Sequence, residues 1–322
     1  MSSVQATAPL QVGAASASDR DALPVHVDLC ACTDVDAVVA AARAHIDRHL
    51  HTVGGVLFRT EAIDGLPAFE RFVEALGQDL MRYDFGSTPR SQLLGRVYSS
   101  TEYPAEHAIA LHNEMAYTTR WPSRIWFYCD IAPEQGGETP IADSRAIYRR
   151  IDPAIRRRFE ERELLYVRNY RPGLDVPWQQ TFNTGNKADV ERYCRDADIG
   201  FEWRGDDELK TWQRCQSVLR HPATGEMVWF NQAHVFHVSS LEPEYREALR
   251  EMYAEDELPR NVLYGDGGAI GDDVLDEVRA AIEAEKRLFP WRKGDVLMLD
   301  NLLVAHGREP FSGARRIAVA MA

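Results

Sequence analysis

The sequence predicts a single domain built as a mainly antiparallel β barrel or sandwich with helices packed on its outside. Three features predict it. The folded part opens with two apolar stretches at helical spacing around one buried strand. From Ser91 onward the texture turns to short runs rich in aromatic and branched residues, separated by polar or Pro-containing turns. Neither an internal repeat nor a linker divides the 322 residues, a length that one large domain accommodates.

The elements follow in order. Residues 1–20 are rich in Ala and Ser and lack the charged-then-apolar order of a signal peptide. They are expected to be disordered, leaving 21–322 as the domain. From Asp34 to Leu50, Val38, Val39, Ala42, Ile46 and Leu50 recur at helical spacing, with Asp34 or Asp36 as the cap and Gly54-Gly55 as the stop. Val56-Leu57-Phe58 reads as a buried strand. A second helix runs from Pro67 to Met81, packed through Phe69, Phe72, Val73 and Leu76. Strands are expected over Gly95 to Ser99, His107 to Leu111 and Arg124 to Ile131, then a loop from Pro133 to Asp143. Ser144 to Glu163 reads as one helix and Leu164 to Tyr170 as a strand. The polar stretch Pro172 to Asp207, with one helix from Asn186 to Ala197, has the length of an insertion that covers something. A hairpin follows around Pro222-Ala223-Thr224-Gly225. Helices over Glu242 to Asp256 and Asp272 to Lys286, and strands over Asp295 to Asp300 and Arg315 to Ala320, complete the chain.

Composition removes several classes of function. A net charge of −13 disfavours binding to phosphate backbones, where positive charge supplies the affinity. The five cysteines are scattered without a Cys-x-x-Cys, which argues against a disulfide framework or a thiolate zinc site and for a reduced, cytoplasmic protein. No apolar run is long enough to span a bilayer.

Chemistry concentrates in two places. His112-Asn113-Glu114 ends a strand, and residues two apart on a strand share a face, so an imidazole and a carboxylate can aim at one point. With a second histidine from elsewhere they make a ferrous donor set. His306 follows an apolar strand and precedes Gly307, where backbone can approach a ligand closely. Arg316 lies in the next strand, near the same cavity, where a guanidinium would hold a carboxylate. By alternation Arg315 faces the opposite way, toward solvent.

Together these motifs resemble the taurine-dioxygenase-like (TauD/TfdA) superfamily of iron(II)/2-oxoglutarate oxygenases, in particular its SyrP-like branch. The matching residues are His112-x-Glu114, Gly136-Gly137-Glu138-Thr139, Phe230-Asn231-Gln232, and His306-Gly307-Arg308 followed by Arg315-Arg316-Ile317. The resemblance implies a double-stranded β-helix (jelly-roll, cupin-like) core. It implies that His112, Glu114 and His306 ligate iron, that Arg316 and Thr139 bind the distal carboxylate of 2-oxoglutarate, and that O2 is the cosubstrate. Many members carry Asp where this chain has Glu114. Retaining a carboxylate there implies hydroxylation, or desaturation, over halogenation. Ala320, four residues beyond Arg316, stands where some relatives keep a substrate-binding arginine, which argues against a small sulfonate substrate.

The expected function is hydroxylation of an unactivated C–H of an amino acid or amino-acid-derived substrate in natural-product metabolism, with release of succinate and CO2. The substrate would be free or bound to a carrier protein, for which the basic helix around Arg149, Arg150 and Arg156–Arg158 is a docking candidate; solvated ion pairs such as Arg156–Glu160 account for that helix more simply. Asn231, His234, His237 and Arg308 are candidate substrate residues, and Arg168, Arg171 and Arg308 candidate holders of a substrate carboxylate. A His-Glu-His zinc hydrolase and a non-catalytic metal- or 2-oxoglutarate-binding protein are the alternatives.

Overall fold

Alternation along one strand, Arg124–Ile131, lays out the architecture. Ile125, Phe127 and Cys129 are buried on one of its faces and Trp126 and Tyr128 on the other, so a layer must cover each side. The computed structural model describes residues 22–77, 79–81, 90–205 and 207–322; the segment 1–20 expected to be disordered lies outside the described residues. In it this strand occupies the middle of a seven-stranded sheet. The order is Val25–Asp28, Gly55–Arg59, Val296–Asp300, Arg124–Ile131, Arg316–Met321, Val97–Ser99 and Gln92–Leu94. All neighbours are antiparallel except the first pair.

One face of this major sheet packs through Val56, Phe58, Trp126, Met298 and Ala318 onto the helices Val35–Val53 and Leu66–Ala75. Asp34 caps the first of these by accepting from the Ala37 amide, and Gly54, at φ 103°, ends it. The other face meets a three-stranded minor sheet of Ile109–His112, Val304–Arg308 and Ile141–Asp143. Leu57, Phe127, Leu299, Ile317 and Val319 interlock there with Ile141 and Val304. Two facing antiparallel sheets closing on one core are the jelly-roll expected from the sequence.

The outer face of the minor sheet is covered in turn. Leu111, Ala142 and Ala305 contact a third cluster built largely by an outer sheet, ordered Gly200–Arg204, Glu208–Cys215, Leu164–Tyr170 and Arg260–Tyr264. The insertion after Pro172 is therefore partly sheet. Glu208–Cys215 and Arg260–Tyr264 are not evident in the sequence because inward positions of these strands are the polar Thr211, Gln213 and Arg260, which hide the alternation.

The stretch Ser144 to Glu163 forms two helices, Ser144–Arg150 and Pro153–Arg162. Pro153 offers no amide to continue the first, and the Asp152 side chain caps the second through Ala154 and Ile155. The helix expected to reach Met81 ends at Ala75. The loop Pro133 to Asp143 contains the strands Gln135–Gly136 and Ile141–Asp143.

Asp300 ties the end of its strand to the helix Val35–Val53 and to the hairpin beyond Val218. Its Oδ1 accepts the Leu302 and Leu303 amides at 3.0 and 3.2 Å. Its Oδ2 lies 3.0 Å from His221 Nε2 and 3.2 Å from His51 Nδ1. Burial pushes this carboxyl up, but the two imidazoles outweigh burial and bring it to about 2. A depressed carboxylate stabilises the fold above its unfolded value, and that contribution is lost as pH falls toward 2. Asp300→Asn is therefore expected to cost about 2 kcal/mol at neutral pH. In denaturant unfolding the deficit should shrink between about pH 4 and pH 2; a deficit independent of pH would contradict this.

Candidate active site

His112 closes the strand Ile109–His112 and sits directly opposite His306 of Val304–Arg308, with ring centres 4.6 Å apart. Glu114 lies beyond the strand end, in a turn where Met115 takes φ 56°. Strand alternation is thus not what brings its carboxylate round. Asn301, fully buried, holds the turn: its Oδ1 accepts the Glu114 amide at 2.7 Å, and its Nδ2 donates to the carbonyls of Glu114 and Pro122 at 3.0 and 2.8 Å. Asn113 locks the arrangement by donating to the Asn301 carbonyl at 2.6 Å and to Ser144 Oγ at 3.1 Å.

One donor atom each from His112, Glu114 and His306 lies within 4.8 Å of the others, and His306 Nε2 is 3.6 Å from Glu114 Oε2. The His112 Nδ1 proton points to the Ala110 carbonyl at 2.8 Å, which leaves Nε2 as the lone-pair nitrogen. Burial, helped by the neighbouring His306, takes His112 down to about 4, so it is neutral at physiological pH. Burial alone would raise Glu114, but the Arg90 guanidinium, 2.7 Å away, and the two histidines hold it well below the usual carboxylate range. Two imidazoles and an ionised carboxylate from one side fit a ferrous ion with open positions. Nothing in the polar stretch around Arg90 links it to Glu114 at the level of sequence.

Above the triad is a small, partly open cavity lined by Ser100, Thr139, Arg308, Arg315, Ile317 and Val319 as well as by His112 and His306. The expectation for Arg316 is corrected here. Ile317 and Val319 face the cavity and Ala318 and Ala320 face the helices, so the two-residue period turns Arg315 inward and Arg316 outward. Arg316 is exposed and paired with Asp130. Arg315 donates to the Gly137 carbonyl at 2.9 Å and reaches Ser100 Oγ at 3.5 Å. By the same correction the position four residues on is Val319, not Ala320. Gly137, at φ 70°, makes room for this arginine: a Cβ there would meet Arg315 Cδ and Phe311 Cβ at 3.0 Å. Burial, then the charge of Arg308, brings Arg315 down to about 10. Among the described residues neither arginine has a carboxylate partner, so the cavity presents uncompensated positive charge.

Thr139 Oγ1 accepts from Trp291 Nε1 at 3.1 Å and lines the cavity as expected. Arg308 also lines it, but its terminal nitrogens are bonded to the carbonyls of Tyr103, Pro104 and His107. Gly307 makes its close approach to protein: a Cβ there would lie 2.5 Å from the Ile109 carbonyl. Asn231, His234 and His237 do not line the cavity. Asn231 bridges Ser217 and Ala233, His234 Nε2 is bonded to the Leu111 carbonyl at 2.7 Å, and His237 Nδ1 engages Ser239. His51, His221 and Asp300 form a second His/His/Asp group. The Thr224 amide donates to His221 Nδ1, which puts the His221 proton on Nε2 toward Asp300 and leaves no lone pair there for a metal.

Asn301→Ala should strand the Glu114 amide and two carbonyls, costing about 3 kcal/mol. It should also weaken Mn(II) binding as the carboxylate loses its placement. Unfolding and metal titration check both; unchanged metal affinity in a folded variant would contradict the positioning role.

A family model described as taurine catabolism dioxygenase TauD, TfdA family, matches residues 27–321. The chain is 41% identical over 298 residues to the dapdiamide synthesis protein DdaC of Enterobacter agglomerans, covering 92% of this chain and 91% of that protein. It is 33% identical over 287 residues to a clavaminate synthase-like protein of Arabidopsis thaliana, covering 86% and 84%. Among solved structures, an asparagine oxygenase in complex with Fe(II), 2S,3S-3-hydroxyasparagine and succinate shares the fold, with a TM-score of 0.56 at 12% identity over 89% of this chain and 83% of that one. The chain belongs to the TauD/TfdA family of iron(II)- and 2-oxoglutarate-dependent dioxygenases.

Proposed function

We propose that the protein hydroxylates an unactivated C–H bond of an amino acid or amino-acid-derived small molecule, free or carrier-bound, in natural-product metabolism. Substrate, O2 and 2-oxoglutarate would give the alcohol, succinate and CO2. The observation that carries the reading is the pairing of the His112, Glu114, His306 triad with a cavity where Arg308 and Arg315 have no carboxylate partner among the described residues. A zinc hydrolase could use the triad but would have no use for that charge.

The bound iron would supply the activation of O2. His112, Glu114 and His306 would hold the metal from one side. Arg315 and Thr139 would grip the distal carboxylate of 2-oxoglutarate, with the Arg308 charge adding to the attraction. Phe127, Ile317 and Val319 would keep the surroundings apolar. As a metal ligand Glu114 would leave no vacated carboxylate position for a halide, which favours hydroxylation, or desaturation, over halogenation. A relative 41% identical is a dapdiamide synthesis protein, and the asparagine oxygenase neighbour was captured with a hydroxylated amino acid; both support the substrate class.

Anaerobic addition of Fe(II) and 2-oxoglutarate should produce a visible charge-transfer band that decays on admitting O2, with succinate released. No band and no succinate would sink the proposal. Arg315→Ala should raise the KM for 2-oxoglutarate about 30-fold or more, as expected for a lost charge-assisted bond. Arg316→Ala should leave it within about twofold, and the reverse pattern would restore Arg316 to the site.

A further inference from the structure

We propose that Arg168 is the receptor for a carboxylate of the substrate, so that the enzyme takes a free acid and not a carrier thioester. This rests on the amino-acid reading above. Of the three arginines that suggest themselves from the sequence, Arg171 is paired with Glu257 at 2.7 Å and Arg308 is bonded to loop carbonyls. Arg168 is 4% exposed, and among the described residues none of its three guanidinium nitrogens has a hydrogen-bond partner. Its guanidinium carbon lies 4.8 Å from the centre of the Tyr170 ring, a contact that leaves the in-plane N–H groups unused. A buried, unbonded guanidinium is among the costliest groups a fold can retain, and function is the usual reason to retain one.

The neighbours do not neutralise it. Arg168 lies between Thr211 and Arg260 in the outer sheet. Arg260 is joined to both oxygens of Asp175 at 2.8 and 2.6 Å. Burial pushes Asp175 up, yet Arg260 first and Arg168 after it hold this carboxyl below its usual value. Two guanidiniums thus share one carboxylate, leaving one positive charge in excess. Thr181 Oγ1, close in sequence to Phe182 whose ring packs 6.0 Å from that of Tyr170, is a further buried polar atom with no partner among the described residues.

The position suits a substrate handle. Arg260 lies 5.5 Å from the Phe236 ring, and that ring is 4.9 Å from Tyr117, three residues after Glu114. From the same short helix, His234 is bonded to the carbonyl of Leu111, the residue before His112. The minor sheet ends at the strand Ile109–His112, where Ala110 is exposed; a molecule reaching from Arg168 to the triad would pass around this edge. A carboxylate at Arg168 would accept two parallel bonds from its guanidinium.

The test uses the holoenzyme with Fe(II), 2-oxoglutarate and air, and reads succinate release promoted by the L-amino acids and their N-acetyl derivatives, each beside its α-carboxamide. At least one acid is expected to act at about tenfold lower concentration than its amide in the wild type. In Arg168→Met that preference should fall to about one with the KM for 2-oxoglutarate unchanged, and Arg168→Lys should keep part of it. Substrate-free Arg168→Met should also melt a few degrees higher, because an unpaired buried charge is gone. An undiminished acid preference in Arg168→Met overturns the assignment alone, as does a lower melting temperature with lost Mn(II) binding, the mark of a structural arginine. Promotion by no acid overturns the amino-acid reading and this assignment with it.

Discussion

The antiparallel pairing of Ile109–His112 with Val304–Arg308 is the constraint on which the site depends. It sets His112 against His306 across a ladder whose spacing the backbone dictates. The third donor needs more, because Glu114 lies where the strand has already ended. Asn301, on the turn between Val296–Asp300 and Val304–Arg308, supplies it by bonding both backbone groups of Glu114. Asp300, its neighbour, anchors the same turn to two imidazoles. The placement of Glu114 is therefore set by one turn that reads the backbone of another.

Charge is distributed with equal economy. Glu114 stays ionised because Arg90 is beside it, and His112 stays neutral because burial and His306 disfavour its proton. Among the described residues, Arg308 and Arg315 face the cavity without carboxylate partners, and the Arg168 guanidinium lies in a second layer without hydrogen bonds. Such groups subtract from the stability of the ligand-free protein. An anion that satisfies them binds the folded state alone and returns that stability by mass action.

Much of the site was legible because its chemistry sits in short motifs with strict spacing. His112, Glu114 and His306 come together, and Thr139 lines the cavity with the two histidines. The choice between Arg315 and Arg316 was not legible, since adjacent residues on a strand differ only in which face the pleat gives them. A one-residue slip exchanges those faces, and here Ile317 and Val319 in the core settle the matter for Arg315. Asn231, His234 and His237 look like pocket residues in a list of polar side chains. Their actual role, bonding backbone across layers, depends on partners far away in the chain. Arg90 and Asn301 were invisible for the same reason.

By itself the sequence determined the family, the jelly-roll class and the candidate His112, Glu114, His306 triad, because alternation, turn residues and motif order are local properties of the chain. Only the tertiary structure decided which arginine enters the cavity, which asparagine holds the Glu114 turn, and that Thr211, Gln213 and Arg260 are interior residues of an outer sheet. Those outcomes follow from long-range register and burial, and the energy of a buried polar group depends on what lies opposite it.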